Sequence, residues 1–254
     1  MNQTGLRLVA VGDSLTEGVG DPHWGGLHGW IHYLTSDSAA GIPLILVANL
    51  ARSGATVADL RRRQLHRAVA LAPDIITCAI GVNDVIGRRF DAATFEQDYE
   101  HVIGALAGAA TRGVLTMTLH DVAAGLPLPR DTRVALRCRI AQANTVIERV
   151  SEEYGGWVID ARAATSMNGL GMLSLDRLHP NRRGHRYIAA FTLDVLRAHG
   201  AVAQDGSAAV IPAADPLVRR LRAEAAHLLW LGRHMAVPTI KALTRSMRSA
   251  PGIR

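Results

Sequence analysis

Ser14 stands in the stretch Gly12-Asp13-Ser14-Leu15, directly after the apolar run Leu8-Val9-Ala10-Val11. A serine hydroxyl becomes a useful nucleophile when a base takes its proton and a third group orients that base. Far down the chain, Asp176 and His179 supply those two residue types three positions apart, and Pro180 restricts the backbone that follows. Acyl transfer also needs donors directed at the oxygen on which negative charge develops. Gly54 offers a backbone N–H with no side chain to shield it, Asn83 a side-chain amide, and Ser14 its own N–H at a helix start. Spacing alone leaves each residue a plainer use. Ser14 would cap a helix, Gly54 would serve a tight turn, Asn83 an Asx-turn, Asp176 a turn cap, and His179 would be a hydrogen-bonded loop residue. Asp13 and Asp84 read as holders of loop backbone rather than proton carriers.

These residues need a scaffold that gathers them. Short apolar runs predict strands over 6–11, 44–50, 75–80, 114–119 and 157–159. Helical spacing fills the intervals near 26–40, 57–72, 94–111 and 131–154, and again over 182–199. In 131–154, Val134, Ile140, Val146, Ile147 and Val150 mark one face, and Arg133, Arg137, Arg139 and Glu148 the wet side. Repeated strand–helix units with nearly all-apolar strands imply a parallel sheet covered on both faces. The expected architecture is a three-layer α/β/α sandwich with a five-stranded, flavodoxin-like parallel sheet and a C-terminal helical extension. In such a sheet, ligand chemistry gathers beyond the carboxyl ends of the strands, which is where Ser14, Gly54, Asn83 and His179 fall.

Together, Gly12-Asp13-Ser14-Leu15, Gly54, Gly81-x-Asn83-Asp84 and Asp176-x-x-His179 resemble the four blocks of the GDSL, or SGNH, hydrolases, in order, over about residues 6–199. The resemblance implies a serine esterase acting through an acyl-enzyme. It makes Ser14 the nucleophile, His179 the general acid/base and Asp176 its partner, with the Ser14 amide, Gly54 amide and Asn83 side chain as oxyanion hole. Small carboxylic esters, lysophospholipids, thioesters and acetylated sugars are the substrate classes it implies. An acyltransferase with the same machinery is the nearest alternative, and a non-catalytic flavodoxin-like binding module a more distant one. The α/β-hydrolase elbow, G-x-S-x-G, does not fit, because Thr16 stands two residues after Ser14.

Further residues border the same loops. Trp24 and His120 are candidate substrate contacts, with Leu126 and Leu128 as apolar and Arg88 and Arg89 as anion-facing neighbours. No P-loop or G-x-G-x-x-G fingerprint follows a strand, and His28 and His32 lack further ligands for a metal, so no cofactor is expected.

The 254 residues carry a formal charge of +6, but residues 205–254 alone hold eight basic and three acidic side chains. Basicity therefore belongs to the tail, and with 4% aromatic residues the main domain is no candidate for nucleic acid. The expected division is a hydrolase domain over 1–202, a linker over 203–215 and a basic amphipathic extension over 216–254. In the extension, Val218, Leu221, Ala225, Leu228, Leu229 and Gly232 form a helical stripe, and Pro238 permits a second helix with Ile240, Leu243 and Met247. The stripe is expected to pack on its own domain or a second copy, or else to rest on an anionic membrane. The N-terminal residues do not resemble a signal peptide, no apolar run has spanning length, and a cytoplasmic location is expected. Cys78 and Cys138 read as free thiols.

Overall fold

Strands β1 (Leu6–Gly12), β4 (Leu44–Asn49), β5 (Ile75–Ala79), β6 (Gly113–Met117) and β7 (Trp157–Ile159) form one sheet in the order β4-β1-β5-β6-β7, with every neighbouring pair parallel. The computed structural model describes residues 5–24, 26–36, 43–87, 89–162, 171–203 and 213–234. Chain direction across the sheet reverses at β1, so a crevice opens beyond the carboxyl ends of β1 and β5.

Period-two alternation decides which helices cover which face. Val9, Val11, Ile76, Cys78 and Val114 point to one side, and there they meet α3 (Val57–Arg63), α4 (Leu65–Ala70), α6 (Ala92–Ala109) and α8 (Arg130–Glu153). Leu8, Ala10, Ile75, Leu115 and Met117 point the other way, against α2 (Gly29–Ser36) and α9 (Arg182–Ala198). Trp30, Ile31 and Leu34 of α2 are fully buried on that side. Each such side chain contributes about 2 kcal/mol through burial, so both faces are held firmly.

The expected sandwich is therefore present, with local differences. The strands leave their ladders before Leu50, Ile80 and Leu119, as the backbone turns into the loops that carry chemistry. The expected helix over 26–40 begins at Gly29, because 26–27 pairs with 22–23 as a hairpin of β2 (Pro22–His23) and β3 (Gly26–Leu27). The helix expected over 57–72 is broken at Gln64, whose side chain turns inward. On α8, Ile140, Val146, Ile147 and Val150 are buried as the pattern requires, whereas Val134 is exposed. Cys78 is buried in β5, Cys138 is exposed, and both are free.

The last described element is α10 (Leu217–His234), which packs beside the β2 hairpin. The apolar stripe faces outward: Val218, Leu221, Leu228 and Leu229 are all exposed. The helix docks instead through polar residues, with Glu224 accepting from the Leu175 N–H at 3.0 Å and His227 buried. Before it, Asp215 pairs with Arg182 at 3.3 Å. Most of the expected linker, and the second helix expected after Pro238, lie outside the described residues. No described helix is long and apolar enough to cross a membrane.

Candidate active site

Ser14 opens α1 (Ser14–Glu17), a single turn entered straight from β1. Asp13 caps that turn, its Oδ1 accepting the Leu15 N–H at 3.0 Å. As first helical residue, Ser14 carries one of the amides that a helix leaves without an internal partner. Gly12 makes the entry possible: its φ is +149°, and a Cβ there would lie 2.3 Å from the Ala79 carbonyl oxygen. The Gln64 side chain fastens this glycine, with Oε1 accepting from Gly12 N–H and Nε2 donating to Gly12 O, both at 2.9 Å and both buried.

The loop after β4 is tied to the same turn. Asn49 Nδ2 donates to Thr16 O at 2.7 Å, and the Ser53 N–H donates to Glu17 Oε2 at 2.7 Å, an oxygen that also accepts from the Ser53 hydroxyl. Gly54 follows with φ +77°, a left-handed conformation that favours glycine, and the side where a Cβ would stand is open. Asn83 lies in the first turn of α5 (Val82–Ile86), after Gly81 at φ +124°. One hydrogen of its amide goes to Ala55 O at 2.9 Å, and the amide nitrogen is 3.5 Å from Asp13 Oδ2. Asp84 accepts from the Val57 N–H, joining this turn to the start of α3. Burial, only partly opposed by the hydrogen bonds from the backbone amides of Leu15 and Val57 respectively, pushes the Asp13 and Asp84 carboxyls up to about 7.

Asp176 and His179 occupy one tight loop, in which Arg177 takes a left-handed φ of +58°. Asp176 Oδ1 accepts the N–H groups of Leu178 and His179, both at 3.0 Å. Leu173 bridges Pro180 across the loop. The result is a relay across 165 positions of sequence: His179 Nδ1 lies 2.6 Å from Asp176 Oδ2, and His179 Nε2 lies 2.9 Å from Ser14 Oγ. Burial would raise the Asp176 carboxyl, but hydrogen bonds from His179 and His227 outweigh it and hold the group well below the usual carboxylate range. An ionised Asp176 only accepts, so His179 carries its proton on Nδ1 and Nε2 is left to accept from Ser14.

His227, on α10, was not singled out by its sequence context. It is buried, and its Nε2 lies 2.9 Å from Asp176 Oδ2, the oxygen that His179 also uses. The signal available was spacing: Glu224 and His227 are three apart, hence on one helix face, and the apolar stripe drew attention to another. Asp176, His179 and His227 have donor atoms within 4.8 Å of one another, a grouping that resembles a metal cage. The 2.6 Å between His179 Nδ1 and Asp176 Oδ2 is instead a hydrogen-bond separation, shorter than the about 3.3 Å between neighbouring ligands on tetrahedral zinc.

The two expected substrate contacts separate. Trp24, at the turn of the β2–β3 hairpin, is 97% exposed and projects into solvent. His120 lines a pocket with Leu15, Met117, Pro180, Tyr187 and Phe191, of which Leu15 and Pro180 directly follow Ser14 and His179 in the chain. Burial lowers its imidazole to about 4, and its Nε2 is buried without a partner. Leu126 and Leu128 are partly buried against the core, and Arg88 lies outside the described residues.

The chain is similar to known proteins over most of its length. A family model described as the GDSL-like lipase/acylhydrolase family matches residues 10–187. An acetylxylan esterase of Geobacillus stearothermophilus is 28% identical over 207 residues, covering 73% of this chain and 91% of that protein. Among solved structures, an α/β hydrolase enzyme from the metagenome of Lake Arreo, Spain, superposes with a TM-score of 0.61 at 25% identity, over 75% of this chain and 94% of its own. A variant of the acetyl-xylooligosaccharide esterase Axe2 from Geobacillus gives 0.62 at 24% identity, over 76% and 94%.

Proposed function

This chain belongs to the GDSL-like lipase/acylhydrolase family, and on that premise we propose that it cleaves carboxylic esters through an acyl group carried on Ser14. It is a carboxylic ester hydrolase by family and by relative. The observation that carries the residue-level reading is the unbroken chain of hydrogen bonds Ser14–His179–Asp176.

In the proposed reaction, Ser14 Oγ attacks the ester carbonyl carbon while its proton passes to His179 Nε2. The imidazolium so formed lies 2.6 Å from the ionised Asp176, which stabilises it and keeps the ring oriented. Negative charge moves to the carbonyl oxygen, where the amides of Ser14 and Gly54 and the Asn83 side chain are the proposed donors. The tetrahedral carbon collapses by expelling the alcohol, which takes the proton from His179. Water then takes the place of the departed alcohol: it gives a proton to His179 as it attacks the acyl carbon, and collapse expels Ser14 Oγ, which takes that proton back as the acid is released.

Acetyl esters of sugars are the proposed substrate class, on the strength of the acetylxylan esterase relative. His120, in the pocket beside Leu15 and Pro180, is the proposed contact for the bound ester, and Trp24, exposed on the β2–β3 hairpin, is retained as a proposed contact for the rest of the substrate. The reaction needs no cofactor beyond water. The cytoplasmic location expected from the sequence is retained as part of the proposal.

Labelling with a fluorophosphonate followed by peptide mass mapping tests the nucleophile. The adduct is expected on the peptide containing Ser14, and an adduct elsewhere overturns the assignment. A panel of p-nitrophenyl esters and acetylated xylo-oligosaccharides tests the substrate class. Acetyl esters turning over fastest supports it; preference for long acyl chains contradicts it.

A further inference from the structure

Residue 227 lies 40 positions beyond the segment matched by the family model, yet it touches the proposed catalytic loop. Three features of the contact go beyond a helix resting on a surface. His227 is 1% exposed, so its imidazole is removed from water and needs partners for its ring nitrogens. Its Nε2 is 2.9 Å from Asp176 Oδ2, and because that carboxylate only accepts, His227 must donate. The ring also stands edge-on to His179, with centroids 6.0 Å apart and planes at 68°.

Asp176 is thereby held from both sides. Its Oδ1 is fixed by two backbone amides of its own loop, and its Oδ2 is shared between the His179 and His227 imidazoles. A carboxylate with two backbone donors on one oxygen keeps some rotational freedom at the other when that oxygen has a single side-chain donor. A second donor on a separate helix removes that freedom. The helix is itself anchored next door, where Glu224 accepts from Leu175 N–H.

We propose that His227 is a positioning residue: α10 completes the site by donating a hydrogen bond to Asp176, which fixes the carboxylate that orients His179. The proposal rests on the reading of Ser14, His179 and Asp176 given above. It assigns the C-terminal helix a part in catalysis, although its residues neither carry substrate nor exchange protons with it.

The experiment compares full-length His227→Phe, which fills the space without a donor, with His227→Gln, whose amide retains an N–H at similar reach. Reactive serine is counted in each preparation with a fluorophosphonate, and kcat and KM for p-nitrophenyl acetate are expressed per labelled site. Loss of a hydrogen bond to a charged group predicts a fall in kcat of about 10- to 100-fold in His227→Phe, with KM near the wild-type value. His227→Gln is expected to recover most of that loss, which a merely structural role for the helix would not require. Wild-type kcat per labelled site in His227→Phe overturns the proposal, as does equal damage in both variants. If His227→Phe does not fold, ¹⁵N-histidine NMR of the wild-type protein decides, with the His227→Gln spectrum giving the assignment. A protonated Nε2 on His227 supports the proposal, and an unprotonated one overturns it. Absence of label on Ser14 in the wild-type enzyme, by contrast, removes the underlying reading of the site.

Discussion

Gly20 and Pro180 meet so closely that a Cβ on Gly20 would lie 1.9 Å from the Pro180 carbonyl oxygen. This contact presses the loop that follows Ser14 against the loop that carries His179. A second bond secures it, since His185, near the start of α9, lies with Nε2 2.9 Å from Val19 O. The hydroxyl-to-imidazole distance is set here as much as at the reacting atoms.

Substituting Gly20→Ala is therefore expected to separate the two loops. Gly20 has φ +104°, so alanine there is strained as well as obstructed, and relief requires backbone to move. A displacement of about 1 Å at a catalytic pair costs about 100-fold in rate. The measurement is kcat for p-nitrophenyl acetate alongside the melting temperature. A fall in kcat with a modest loss of stability is expected, and an unchanged kcat would show that the contact does not position His179.

Gln64→Leu tests the clamp on Gly12. The substitution keeps the volume roughly constant but leaves Gly12 N–H without the partner it has at 2.9 Å, and removes one of two donors to Gly12 O, which keeps the Arg52 N–H at 3.1 Å. An unsatisfied buried donor costs about 1–3 kcal/mol, so chemical denaturation should show a loss of about 2 kcal/mol. Activity should fall too, because Ser14 is only two residues away. A variant as stable as wild type would mean that water or a shifted backbone replaces the clamp.

Acid stability should depend on His185. Burial, partly offset by its hydrogen bond to Val19, lowers this imidazole to about 4, and its Nδ1 is buried without a partner. The unfolded chain then binds the extra proton near pH 6.5 while the folded protein does so near 4. Stability from this group is present above about pH 6.5 and is lost as pH falls toward 4, by about 3 kcal/mol in all. The buried Asp13 and Asp84, raised to about 7, work in the opposite sense: their contribution favours acid and is lost as pH rises from about 4 to 7. The comparison must therefore be between variants. His185→Gln, which keeps a donor for Val19 O, should lose less stability than wild type on titration from pH 6.5 to 4. Parallel curves would contradict the assignment.

The sheet and the placement of the candidate site residues were legible in the sequence, for reasons visible in particular residues. Alternating apolar runs such as Leu8-Val9-Ala10-Val11 serve both faces of the sheet, so they read clearly as buried parallel strands. Ser14 opens a helix directly after β1, Gly54 lies in the loop after β4, Asn83 in the first turn of α5, and Asp176 and His179 in the loop before α9, where residue type and position speak together. Gln64 and His227 were not legible because each acts through a contact distant in sequence and sits in an ordinary helical pattern. In α10 the pattern pointed away from the contact, since the apolar stripe stays exposed and the docking face is marked by Glu224 and His227. The exposure of Trp24 was not legible from its type either, since it follows from the hairpin that pairs Pro22 with Leu27.

The central claim is that Ser14 carries the acyl group, and kcat of Ser14→Ala against wild type with p-nitrophenyl acetate tests it most directly. The hydroxyl is a partner of His179 at 2.9 Å, so its removal leaves the fold's main contacts in place and takes away the attacking atom. Rates should fall by about 10⁴-fold or more, with an unchanged circular dichroism spectrum and melting temperature. Turnover within about 10-fold of wild type by a folded Ser14→Ala preparation free of wild-type enzyme would contradict the account, since loss of the nucleophile must cost far more than that.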